Sequence, residues 1–165
     1  RNKRELDFFK GYFCNYIIQK FINGKEYTID IVASPEGKIL QAMPRQRIMV
    51  KAGMSYKGRT SKDYRLMEFG RKIAGKFRIN GPANVQCIMD KKRIYLIEVN
   101  PKFAAGLPLA VAAGVNIPLI LVKLAFGLKV YRKELEFEDG LCMLRFWEEI
   151  FIPKNVIANE GFKLR

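Results

Sequence analysis

An α+β fold is the expectation for this sequence: a largely antiparallel sheet with helices packed on one face. Three observations predict it. Short strand-like runs separated by tight-turn residues dominate the first half. Gly81–Met89, reading GPANVQCIM, turns at Asp90-Lys91-Lys92 into Ile94–Phe103, reading IYLIEVNPKF, which makes a β-hairpin. A 20-residue run without charge, Phe103–Val122, is broken by Gly106, Pro108, Gly114 and Pro118 into two short helices near 108–113 and 118–126. Strands grouped before helices favour an antiparallel sheet with a helical layer over a βαβ alternation. The 165 residues suffice for one domain with a real core.

Taken in order, Arg4–Lys10 reads as the end of a helix, and Asn15–Phe21 as a strand closed by the turn Asn23-Gly24. Glu26–Ala33 is a strand, Pro35-Glu36-Gly37 a turn, and Lys38–Val50 a long third strand. Ala52–Thr60 reads as a loop. Ser61 and Asp63 open a helix that runs to about Phe77. The hairpin and the two apolar helices follow, then strands near Lys129–Tyr131 and Cys142–Phe151. No internal repeat or low-complexity linker interrupts this path.

The hairpin carries the chemistry. Strand side chains alternate faces, so Glu98 and Asn100 share one face about 7 Å apart, while Ile97 and Val99 point into the core. Gln86 on the other arm can face Glu98 across the ladder. A carboxylate and two amide oxygens are hard donors, suited to Mg²⁺ held together with substrate phosphates. The bland alternative is a strand end, stopped by Pro101, with solvated polar residues.

Composition excludes other chemistries. The chain has no histidine, which removes imidazole acid–base catalysis, His-dependent triads and most zinc sites. Cys14, Cys87 and Cys142 are widely spaced and odd in number, against a disulfide framework and in favour of a reducing, cytoplasmic setting. Cys87 reads as core, on the strand face opposite Gln86. The apolar run matches a membrane span in length, but its two prolines and two glycines argue for buried helices instead. No membrane partner is expected.

The paired segments NVQ (Asn84–Gln86) and IEVNPKF (Ile97–Phe103), at this spacing, resemble the metal-binding half of ATP-grasp enzymes. The variety is that of the carbamoyl phosphate synthase large subunit and its single-module relatives. IIQKFINGKEYTID (Ile17–Asp30) resembles the hinge and following strand of that fold. FAAGLPLAVAAGVNIPLILVKLAFG (Phe103–Gly127) resembles the two helices after its metal strand, and MLRFWEEIFIP (Met143–Pro153) its closing strand.

The resemblance implies the C-terminal subdomain of an ATP-grasp module over 1–127, with a closing strand and tail over 128–165. The glycine-rich-loop subdomain that normally precedes it is absent from this sequence and would be supplied in cis or in trans. The implied cofactors are ATP and Mg²⁺, with Mn²⁺ as an alternative. The implied reaction is ligation: a small-molecule carboxylate is activated as an acyl phosphate and attacked by an amine or similar nucleophile. By resemblance Gln86, Glu98 and Asn100 are the metal ligands. Gln19, Lys20, Ile22, Glu26 and Ile88 are the nucleotide-binding residues, with Glu26 toward the ribose and Ile88 under the adenine. Lys102, where relatives carry Arg, and Arg45 are the catalytic cations at the phosphoryl and acyl-phosphate oxygens. Without half its cleft the chain alone is expected to be inactive, and an exposed cleft could pair into an oligomer.

Charge sustains rival readings. The net charge is +14, and residues 41–80 hold eleven Lys/Arg against Asp63 and Glu68. Arg45 and Arg47 alternate onto one strand face, with Lys51, Lys57 and Arg59 following in the loop. Arg65, Arg71, Lys72 and Lys76 read as a solvated helix face. One rival is a basic nucleic-acid-binding domain with Tyr56 and Tyr64 stacking on bases, although no known binding motif is present. Another is a P-loop at Gly53–Thr60 (GMSYKGRT), where Arg59 stands in place of the required Lys. A third is a non-catalytic nucleotide-binding or assembly module. In the ATP-grasp reading Ser55, Lys57 and Gly58 belong to a loop that orders over substrate.

Overall fold

A computed structural model describes residues 2–153. Six strands form one antiparallel sheet in the order β5-β4-β1-β2-β3-β6. They are β1 (Lys25–Ala33), β2 (Ile39–Lys51), β3 (Met54–Thr60), β4 (Pro82–Met89), β5 (Ile94–Asn100) and β6 (Cys142–Leu144). The helices are α1 (Lys3–Tyr12), α2 (Tyr64–Lys76), α3 (Leu107–Ala112) and α4 (Ile117–Ala125), with a 3-10 turn at Arg132–Leu135. This is the α+β, antiparallel class expected from the sequence.

The central strands divide by parity. Tyr27, Ile29, Ile31 and Ala33 of β1, Ala42 of β2 and Ala83, Val85 and Cys87 of β4 form the main core with α2. The helix meets them along Leu66, Gly70 and Ala74, one residue per turn. Gly70 is needed for this approach, because a Cβ there would lie 2.7 Å from Ile29 Cγ2. Asp63 caps α2 as expected, its carboxylate accepting the Arg65 N–H at 2.9 Å. Helices α3 and α4 build a second cluster with Val32, Met43 and Phe137. Val32 and Met43 have the opposite parity in their strands, so α2 alone is the layer on the main core face.

Several expected elements differ. Asn15–Phe21 is irregular and exposed, since β1 is flanked on both sides by β2 and β4 and the open sheet edges belong to β5 and β6. Ala52–Thr60 is not a loop. Ala52 and Gly53, both at positive φ, make a tight turn, and β3 then runs antiparallel to β2. Its alternation buries Ser55, Tyr56, Gly58 and Thr60 and exposes Lys57 and Arg59. A paired strand cannot wrap a phosphate, so the P-loop reading falls, and Ser55, Lys57 and Gly58 are sheet residues. Buried Tyr56 is also unavailable to stack on a base.

Ile97 does not enter the core. The β4–β5 register shifts between Gln86 and Cys87, so that Gln86 faces Glu98 while Cys87 faces Leu96. Ile97 is the extra residue of this bulge and is exposed. No strand forms at Lys129–Tyr131, and the closing strand is only Cys142–Leu144. The expected tail, 155–165, lies outside the described residues. Among the described residues no helix is long and apolar enough to cross a membrane.

Candidate functional site

The sheet face opposite α2 gathers the polar residues. On β1 these are Glu26, Thr28 and Asp30, on β2 Arg45 and Arg47, on β4 Asn84 and Gln86, and on β5 Glu98 and Asn100. Register joins them: Thr28 stands beside both Arg45 and Gln86, Gln86 beside Glu98, and Asn84 beside Asn100. The β2–β3 turn and the segment Lys102–Gly106 wall off a cleft of about 450 Å³ over this face.

At its centre, Glu98 Oε1 accepts hydrogen bonds from Gln86 Nε2 at 2.5 Å and from Asn100 Nδ2 at 2.7 Å. Two amide nitrogens thus meet on one oxygen of Glu98, which brings together the three residues that the sequence grouped on one face. The bulge at Ile97 is what sets Glu98 opposite Gln86. One carboxylate with two amides is a partial shell for a hard cation, to be completed by water or substrate oxygens. The described residues contain no cluster of three or more His, Cys, Asp or Glu that could hold a metal ion. The donor set therefore fits Mg²⁺ or Mn²⁺ bound together with a phosphate-bearing ligand.

Arg45 lines the cleft but is committed elsewhere. Its Nε and NH2 grip Asp30 Oδ2 and Oδ1 at 2.5 and 2.8 Å, and both residues are about 2% exposed. Its NH1 lies against Gly106, where a Cβ would come within 2.0 Å. Arg45 is thus a brace between β1 and the Lys102–Gly106 wall. Lys102 itself is exposed at the cleft, and its carbonyl accepts Asn84 Nδ2 at 3.0 Å.

Arg47 makes three contacts. NH1 donates to Gln86 Oε1 at 2.8 Å and NH2 to the Gly53 carbonyl at 3.0 Å. Nε lies 3.1 Å from Glu26 Oε1, a charge contact in which the N–H is not aligned as a hydrogen bond. Glu26 pairs in register with Ile88, so both belong to this face beside Gln86. Gln19 and Lys20 are exposed ahead of β1 and do not line the cleft, and Ile22 is half-buried. Gln19 lies instead in a groove with Phe9 and Phe13 after α1.

Sequence reasoning missed Asp30, Thr28, Asn84 and Arg145. A signal for three of them existed: Glu26, Thr28 and Asp30 alternate with Tyr27, Ile29 and Ile31, and Asn84 precedes Gln86 by two. Arg145 gave none. It reaches the cleft rim from after β6, donating to the Ala105 carbonyl at 2.9 Å. Cys87 lies on the core parity, where burial pushes its thiol up to about 12. It is inert packing rather than a nucleophile.

Comparison with known proteins bears on family and fold. The family described as "ATP-grasp in the biosynthetic pathway with Ter operon" matches residues 12–145. Carbamoyl phosphate synthase large chains from Caldanaerobacter subterraneus and from Thermoanaerobacter sp. are each 28% identical over 134 residues, covering 76% of this chain and 12% of theirs. The chain therefore spans about an eighth of the length of these relatives. A biotin carboxylase–β,γ-ATP complex from Campylobacter jejuni superposes with a TM-score of 0.62 at 16% identity, over 72% of this chain and 29% of that one. A Rhizobium etli pyruvate carboxylase superposes at 0.60 with 17% identity, over 72% and 12%. These structures share the fold.

Proposed function

This chain belongs to the ATP-grasp family, and on that premise we propose that it forms one half of a ligase's ATP cleft. Residues 1–127 act as the C-terminal subdomain, and the segment from 128 closes the sheet. The reaction is activation of a carboxylate as an acyl phosphate, followed by attack of an amine or similar nucleophile. One observation carries the reading: at the cleft a single oxygen of Glu98 accepts from both the Gln86 and the Asn100 amides, which groups one carboxylate and two amides at one point.

In this reading Gln86, Glu98 and Asn100 would hold Mg²⁺ together with the nucleotide phosphates, where the ion would supply charge neutralisation for phosphoryl transfer. Lys102 contacts the transferring phosphoryl as a point charge. Arg45, tied to Asp30, holds the Lys102–Gly106 wall in place beside the acyl-phosphate oxygens. Glu26 holds the ribose and Ile88 lies under the adenine. Turnover requires the other subdomain, which excludes water and covers the phosphates.

Calorimetric titration with Mg²⁺-ATP and Mg²⁺-ADP tests this, using the wild type and Glu98→Gln at low and raised salt. Binding that needs magnesium and Glu98 and survives salt is the expected result. Binding that ignores Glu98 and vanishes with salt would instead mean a nonspecific basic surface.

A further inference from the structure

We infer that Arg47 is a resident cation that guards the metal ligands, so that the site loads a divalent ion together with an anionic polyphosphate and resists the bare ion. The inference rests on the reading of this cleft as a nucleotide and metal site. Three observations carry it. First, the guanidinium occupies Gln86 Oε1 at 2.8 Å, the oxygen that Gln86 would offer to a metal. The Gln86 amide nitrogen is turned to Glu98 at 2.5 Å, so both polar ends of the Gln86 side chain are engaged. Second, the Arg47 side chain is only 8% exposed, yet among the described residues its Nε has no aligned hydrogen-bond acceptor, the Glu26 oxygen at 3.1 Å included. A buried, incompletely paired guanidinium is poised for a better anionic partner. Third, the same side chain ties down the β2–β3 turn through the Gly53 carbonyl.

Charge explains the consequence. Arg45 is neutralised by Asp30 and Arg47 by Glu26, which leaves Lys102 and Glu98 in the cleft. A bare divalent ion bound at Glu98 would have to evict Arg47 from Gln86 and would leave a net positive cleft. A polyphosphate reverses both costs. It neutralises the ion and gives the released guanidinium oxygens suited to its planar fork. The released Gly53 carbonyl frees the turn, so cation loading and turn position are coupled through one side chain.

Mn²⁺ binding followed by electron paramagnetic resonance, with and without ADP, tests the inference on wild type, Arg47→Gln and Glu98→Gln. The expected result is Glu98-dependent Mn²⁺ binding by wild type that ADP strengthens. In Arg47→Gln, bare-ion affinity should rise about tenfold, equivalent to about 1.4 kcal/mol, and the advantage given by ADP should shrink. Arg47→Lys, which keeps the charge without the fork, should shift bare-ion affinity less in the same direction. It serves as the variant of record if circular dichroism finds Arg47→Gln unfolded. The Gly53 amide resonance should move on Mn²⁺-free Mg²⁺-ADP addition in wild type and should already be displaced in the Arg47 variant. If wild type behaves as expected but the folded Arg47 variant binds the bare ion equally or more weakly, the inference is overturned and the nucleotide and metal reading stands. If no Glu98-dependent Mn²⁺ binding occurs in any form, with or without ADP, that reading falls and the inference falls with it.

Discussion

The two faces of β1 are built from the same nine residues and do different work. Ile29 and Ile31 point to α2 and are fully buried in apolar contacts. Thr28 and Asp30, one position away, point to the cleft and are just as inaccessible, yet they face charge and amide groups. A single register keeps both sets in place, because a slip by one residue would exchange them. Burial by itself therefore does not separate core from site in this protein. What separates them is whether the buried group has a polar partner. Asp30 is held by Arg45, whereas the Glu98 carboxylate is exposed and held only by two neutral amides.

The largest expected effect comes from the polar face. Asp30→Ala leaves Arg45 buried without its counter-charge and should cost about 3–5 kcal/mol, as read by urea denaturation. That equals or exceeds the about 2–5 kcal/mol expected for Ile29→Ala on the apolar face. Combining Asp30→Leu with Arg45→Met should recover most of the loss, since the penalty arises from the unpaired charge. A near-neutral Asp30→Ala would break the comparison by making the cleft face dispensable to folding.

The next effect tests the apolar face. Gly70→Ala places a Cβ 2.7 Å from Ile29 Cγ2 and should destabilise by about 1–3 kcal/mol, although alanine favours helices. A stabilised Gly70→Ala would mean that α2 can move off the sheet without loss.

Much of this division was legible in the sequence, and what was not has physical causes. The Glu98–Asn100 spacing and the placing of Gln86 on the facing arm followed from period-2 alternation and a short turn. The bulge at Ile97 did not, because nothing in IYLIEVN marks an extra residue until its partner strand is known. Strand β3 was hidden by its composition: glycine, serine and two cations suggest a loop, although Tyr56, Gly58 and Thr60 alternate with Lys57 and Arg59. Conversely, Asn15–Phe21 has strand composition but no sheet edge to join. Strand propensity expresses a fit to neighbours, and neighbours are a tertiary property. The pairing of Arg45 was hidden for a similar reason, since Asp30 lies 15 residues away and meets it across the β1–β2 ladder.

A smaller effect lies at the start of α2. Asp63→Ala removes the cap and should cost about 1 kcal/mol near neutral pH. The bond from the Arg65 side chain holds the Asp63 carboxyl below its ordinary 3.8. A depressed folded-state value means that this stabilisation is complete above the unfolded value and is lost as pH falls through the folded one. The difference between wild type and Asp63→Ala in thermal melts should therefore shrink below about pH 4. A constant gap at all pH values would assign the effect to helix propensity instead of the charged cap.

The smallest expected stability change belongs to the residue on which the functional reading depends most. Glu98→Gln keeps the shape of the side chain at an exposed site on an edge strand and should alter unfolding free energy by no more than about 0.5 kcal/mol. The same substitution should abolish magnesium-dependent nucleotide binding. Its carboxylate organises Gln86 and Asn100 without supporting the core, so loss of binding with an unchanged melt would separate ligand chemistry from folding at one atom. If Glu98→Gln melted as early as Asp30→Ala, the triad would be a structural network like the Arg45–Asp30 pair, and the contrast between a braced and a poised part of the polar face would disappear.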